Sequence, residues 1–292
     1  DLNAYGVAAS VTRKSKNNAT PGGANTASIA GSFSRNVLDG TTRAFVNGTN
    51  AGLTDNLVVS TGDLNVSADR KGKIQAVAAG LGVSTESGGK SLVVAGSVAL
   101  NEITNITQAY LVGVDDDANP GNPTGTSTYD VAVNAADSSS IFAIAGTLSI
   151  GLGGSNLGVG FSLGENSINN DTDAYINDSK LVHVRDVTVS ATNSAEIHSI
   201  TVSGSLSAGR GKGQITLSGS VSINEIDADS SAYLSKDTLL NAAGKATIRA
   251  TDASSIRSDG GGLSIGIKLS SEEGGSGGSG SGAMGISLAF NT

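Results

Sequence analysis

The chain has no cysteine, no tryptophan, one methionine and three prolines among its 292 residues. Without cysteine there are no disulfides, no thiolate metal ligands and no cysteine nucleophile. That absence fits any compartment, and it suits a long exported protein that must stay unfolded during secretion. Aromatic residues make up only 3%, which excludes a thick globular core. Val, Ile, Leu and Ala can still form a core where glycine and alanine let backbone layers come close. The hydrophobic fraction of 38% is below the ~45–50% of globular chains, a range that also counts glycine, so order is expected to come partly from backbone ladders. The net charge of −8 gives nucleic acid no basic surface to bind. The basic cluster TRKSK at 12–16 reads as a solvated loop. No apolar run approaches the ~18 residues of a membrane-spanning helix. The opening DLNAYGVAAS has no signal-peptide pattern and reads as mid-strand, and GISLAFNT stops where a repeat would continue. The expectation is a piece of a longer chain.

What is abundant is glycine, 41 residues, and repetition. GSVALNEITNITQAYL at 96–111 returns as GSVSINEIDADSSAYL at 219–234 and more loosely as FSLGENSINNDTDAYI at 161–176. One asparagine position recurs at Asn36, Asn101, Asn166, Asn224 and Asn291, at intervals of 65, 65, 58 and 67. An aromatic position nine residues later holds Phe45, Tyr110, Tyr175 and Tyr233. A third landmark is Ile74, Ile141, Ile197 and Ile256. Such periodicity marks a repeat architecture. The array covers 1–292, with approximate units 1–72, 73–139, 140–195, 196–254 and 255–292, the outer two incomplete.

Each unit has two alternating arms. In the clearest, Ile200, Val202 and Leu206 oppose Thr201, Ser203 and Ser205, and Ile215, Leu217 and Val221 oppose Thr216, Ser218 and Ser220. Period two is the signature of β-strand. Glycine-rich tips at 86–90, 153–156, 209–213 and 272–282 separate the arms. Leu92, Val94, Val98 and Leu100 are even-numbered, whereas the next apolar residue is Ile103. Taking the even residues as inward places Glu102 at an inward position and predicts a bulge or corner beside Asn101. A short aromatic strand, a variable loop and a return strand (DVAVNA at 130–135, DVTVSA at 186–191) complete the unit.

Repeats stacked on one another put like on like. The asparagines then form an amide ladder, and the aromatic position becomes a column of offset rings. The expected fold is all-β: an elongated β-solenoid, β-helix-like, built from ~58–67-residue units with glycine-rich turns. Parallel coils advancing ~4.8 Å per repeat and antiparallel hairpins advancing ~10 Å both fit the sequence.

Chemistry is sparse. His183 and His198 have no counterparts in other repeats, and none of the hydrolase, phosphate-loop or zinc motifs occurs. Glu102 and Glu225 share a position that holds Ser167 in the intervening repeat, a pattern of structural corner residues rather than a catalytic pair. In VDDDANPGNPTG at 114–125, Asp115, Asp116, Asp117, Asn119 and Asn122 offer hard oxygens. Asp115, Asp117 and Asn119 are the candidate Ca²⁺ ligands, but the spacing matches no EF-hand, and a solvated turn is the preferred reading. The Ser/Thr face packs on a neighbouring sheet or meets water. No cofactor and no enzymatic activity are expected.

The units AGSVALNEITNITQAYL, DVTVSATNSAEIHSITVSGSLSAG and SGSVSINEIDADSSAYL resemble the repeats of giant bacterial filamentous adhesins, the leukotoxin-like or haemagglutinin-like surface exoproteins. The resemblance covers nearly the whole chain and carries no site residues with it. It implies an exported, β-rich stalk displayed at the bacterial cell surface. Expected partners are neighbouring repeats of the same chain, other copies joined end to end, and a surface glycan or host ligand. The alternative reading is a β-helix that binds or cleaves polysaccharide. A groove holding two carboxylates from different repeats distinguishes that alternative.

Overall fold

The structure, a computed structural model, describes residues 1–13, 25–48, 62–116, 129–210, 213–269 and 280–292. Among these there is no helix, hence none long and apolar enough to cross a membrane. The strands are β1 (Leu2–Arg13), β2 (Thr26–Asn47), β3 (Leu64–Arg70), β4 (Lys73–Val112), β5 (Tyr129–Asp137), β6 (Ser140–Asn177) and β7 (Lys180–Asn193). They continue as β8 (Glu196–Gly209), β9 (Gln214–Ser235), β10 (Leu239–Ala242), β11 (Ala246–Asp252), β12 (Ser255–Lys268) and β13 (Ser281–Asn291).

Every strand pairing among the described residues is parallel, and each joins positions about one sequence repeat apart. The larger sheet runs β1-β4-β6-β8-β12, with β2 on β4, β9 on β6 and β13 on β9. The smaller runs β10-β7-β5-β3, with β11 also on β7. Asn36 pairs with Asn101, Asn101 with Asn166, Asn166 with Asn224 and Asn224 with Asn291. Of the two arrangements open from sequence, the antiparallel hairpin is therefore absent here: the arms β8 and β9 each pair with β6, not with each other. The stack advances ~4.8 Å per layer, whereas the 22 residues of β2 extend for ~70 Å. The described residues thus span more across a layer than along the stack.

A conventional apolar core lies where β3, β5 and β7 face the second halves of β4 and β6. Val66, Val131, Val133 and Val187 meet Leu111 and Ile176 there. Beside it, Ile74, Ile141 and Ile197 stack in one column and meet Ile103 and Ile168. Beta-branched side chains suit both walls, because they pack well on a pleated surface.

Above this core the two arms of each unit lie back to back, and their polarity is inverted. The inward residues are small or polar: Ala78, Ser97, Ser149, Ser162, Thr201 and Ser220 are all buried. The outward residues are the apolar ones: Val7 is 75% exposed, Ile29 68% and Val202 44%. The reason is distance. A Cβ on Gly80 would stand 2.5 Å from the Gly96 carbonyl oxygen across the gap, and one on Gly160 2.6 Å from that of Gly204. Most of the gap admits only small side chains, and Val93 is buried there where the facing Gly82 makes room for it, so the other leucines and valines of the arms take the outer face. Hydroxyls bridge the gap, as in Ser199–Ser222 at 2.9 Å and Ser264–Ser218 at 2.9 Å.

Two expectations are corrected by this inversion. Leu92, Val94, Val98 and Leu100 point outward, and Glu102 follows them outward in phase. There is no bulge at Asn101: β4 runs as one strand through it, and its register on β6 shifts only at the tip, between Glu86 and Lys90. The chain keeps its phase while the apolar residues change face. The Ser/Thr face packs on the facing arm of the same sheet rather than meeting water.

Candidate functional site

The asparagine column stands where the blade of paired arms joins the apolar base. Asn36 donates its Nδ2 hydrogen to Asn101 Oδ1 at 2.7 Å, Asn101 to Asn166 at 2.8 Å, Asn166 to Asn224 at 2.8 Å and Asn224 to Asn291 at 2.9 Å. All but the last of these bonds are buried. Nine residues on, Phe45, Tyr110, Tyr175 and Tyr233 stack with centroids 5.1, 4.9 and 5.1 Å apart and planes within 8°. The rings face outward beside a polar relay in which Arg43 donates to Gln108 (2.8 Å) and Gln108 to Asp173 (3.1 Å). Burial within the column raises the phenol pKa of Tyr175 and of Tyr233.

A second polar column escaped the sequence reading. Arg70, Asp137, Asn193 and Asp252 align on the return strands. Buried Asp137 accepts hydrogen bonds from Ser139 (2.6 Å), Asn170 (2.9 Å), Asn105 (3.2 Å) and Thr107 (3.2 Å). Burial raises its pKa, against the lowering effect of the Ser139, Thr107 and Asn105 hydrogen bonds and of the Arg70 charge. The available signal was Asn105 and Asn170, each four residues beyond a ladder asparagine.

The concave outer surface beside the ladder forms a groove of about 490 Å³. Its walls carry Arg35 from the first repeat, Glu102 from the second, Glu165 from the third and Glu225 from the fourth. Glu102 and Glu225 occupy one column with Ser167 between them, so their backbones lie two strand spacings apart, ~10 Å. Such a row can accept hydrogen bonds from hydroxyls and leaves Arg35 to hold an anionic group. Sequence reading placed Glu102 and Glu225 at one repeat position, as structural corner residues, and missed Glu165, whose equivalents are Leu100 and Ile223.

The chain matches no known family model, no curated protein and no solved structure.

Of the candidate calcium ligands, Asp117 and Asn119 lie outside the described residues, as does Asn122. The backbone of Asp115 forms an isolated parallel β-bridge with that of Lys180. The neighbouring Asp116 is buried, and its carboxylate is engaged by the chain itself. It accepts the Tyr129 hydroxyl at 2.6 Å and the backbone N–H groups of Val182 (2.7 Å) and His183 (3.0 Å). Burial and this carboxylate push the Tyr129 pKa up. His183 Nδ1 lies 3.0 Å from the Asp116 carbonyl oxygen, which can only accept, so Nδ1 carries the hydrogen. His198 stands on the outer face, edge-on to Phe142 with centroids 5.3 Å apart and 3.4 Å from Asp259. Among the described residues no three His, Cys, Asp or Glu are grouped to hold a metal.

Proposed function

We propose that this chain is a structural and adhesive segment of a large exported protein on the bacterial cell surface. In this reading it is wound as a parallel β-solenoid, and many such repeats build a stiff rod. The observation that carries it is the like-on-like register: one asparagine and one aromatic per repeat, each bonded or stacked on its counterpart. A single repeat leaves both backbone edges and both columns unpartnered, so stability accrues by stacking. At ~4.8 Å per repeat, length along the rod comes from repeat number. The absence of cysteine suits an exported chain. Antibodies raised against the 292-residue protein test display. Labelling of intact cells of the source organism is expected; labelling only after permeabilisation overturns the proposal.

A second reading is favoured by the groove with carboxylates from three repeats: recognition of a polysaccharide along the stack. Calorimetric titration with neutral and basic polysaccharides tests it. Glu102→Gln combined with Glu225→Gln is expected to abolish any binding found. Unchanged binding removes the groove from consideration.

A further inference from the structure

We propose that the outward apolar faces of the blade are covered by the same faces of other copies of this chain, so that blades stack laterally. This rests on the stacked reading above and adds its partner.

The second-arm face presents Ile29, Val94, Val159, Leu217 and Met284 in one row across five layers, and Phe33, Val98, Leu163, Val221 and Leu288 in another. Nine residues along each strand and five layers across give a footprint of roughly 700 Å². The largest apolar patch on a typical monomer is about 300–600 Å², and one partner's share of a stable interface is about 800 Å². One face therefore exceeds what a solitary protein leaves open and approaches what a second copy needs. Arg35 and Glu165 are the charged outward residues between 27–35 and its counterparts. They are opposite in sign, so two such faces do not repel. The first-arm face is built alike, with Val7, Val83, Leu148 and Val202 outward.

A bilayer is the other apolar medium that such faces fit. It is disfavoured because the outer strands β1, β2, β12 and β13 each pair on one side among the described residues. Inserting them exposes backbone groups to hydrocarbon at several kcal/mol each. A flat contact between two proteins leaves those edges in water.

Sedimentation of the full chain from micromolar to near-millimolar concentration tests the proposal. Wild type is expected to form assemblies larger than a dimer, because both faces are apolar. Leu163→Glu with Leu217→Glu blocks the second-arm face and leaves dimers through the other; Leu148→Glu with Val202→Glu does the converse. All four together leave a monomer with the wild-type circular dichroism spectrum. Should that variant fail to fold, a single Leu163→Cys, the chain's sole thiol, is expected to form disulfide-linked dimers under mild oxidant, while Asn134→Cys on the return sheet is not. A wild type that stays monomeric, an assembly insensitive to these substitutions, or a monomer that cosediments with phosphatidylcholine vesicles through the same residues overturns the proposal. Failure of the stacked reading appears differently, as loss of cooperative unfolding in the monomer.

Discussion

Gly80 faces the carbonyl oxygen of Gly96 across the blade, so close that a Cβ on Gly80 would stand 2.5 Å from it, whereas a Cβ on Gly96 would meet nothing within 4 Å. The two glycines belong to one strand and differ because Gly80 points inward and Gly96 outward. Gly80→Val is expected to destabilise by ~1–3 kcal/mol or more through overpacking. Gly96→Val is expected to be neutral or stabilising, since valine favours strands. Urea denaturation of the two variants checks the asymmetry; equal losses would mean that the arms do not lie back to back.

Asn166 sits mid-ladder, receiving a hydrogen bond from Asn101 and giving one to Asn224. Asn166→Ala strands buried amide groups on both sides, at about 1–3 kcal/mol for each group left unsatisfied. Asn291→Ala breaks a single, partly buried bond and is expected to cost less. The midpoints in denaturant rank the two.

Tyr110 stacks on both neighbours, so Tyr110→Ala loses two contacts of ~0.5–1.5 kcal/mol each. Tyr110→Phe keeps them and is expected to match wild type. Thermal melts of both variants separate ring stacking from any contribution of the hydroxyl.

Asp137 has a folded-state pKa above its ordinary value of 3.8 because it is buried. The folded protein therefore binds more protons than the unfolded chain in the range just above that value. This residue's contribution is fully present below pH 3.8 and is lost as pH rises through the raised value. Asp137→Asn is expected to flatten the fall in melting temperature from mildly acidic to neutral pH. Asp171, also raised by burial and by Asp173 and Asp229, leaves a residual slope. A profile identical to wild type would refute the assignment.

Tyr129→Phe removes the hydroxyl donated to buried Asp116 and leaves that carboxylate with its two backbone donors. A loss of about 1–3 kcal/mol is expected. Hydrogen exchange at Val182 and His183 localises it: both amides are expected to exchange faster than in wild type.

The strand content, the repeat period and the membership of both columns were legible because each recurs at fixed spacing. Asn101 and Tyr110 needed only self-comparison to be found. The direction of the arms was not legible. Alternation assigns residues to two faces without saying which is inside, and the habit of placing Leu92 and Val94 inward failed because the arms come as close as Gly80 and Gly96 do, with Val93 accommodated only opposite Gly82. The same error turned a change of apolar face at Ile103 into an expected bulge. The Asp137 network was hidden because its partners come from segments 30–34 residues apart, a separation unrelated to the period. The groove needed side chains from four repeats, and only two of its glutamates share a sequence position.

Every amide in the asparagine row is oriented the same way, with nitrogen toward the later repeat and oxygen toward the earlier. The row is therefore a vector. Among the described residues the row ends in an acceptor at Asn36 and a donor at Asn291, so a layer placed at one extremity must offer the opposite group from a layer placed at the other. Joining two Asn36 extremities sets acceptor against acceptor. Growth of such a column is consequently head to tail, and its sense is written in the side chains as well as in the parallel backbone.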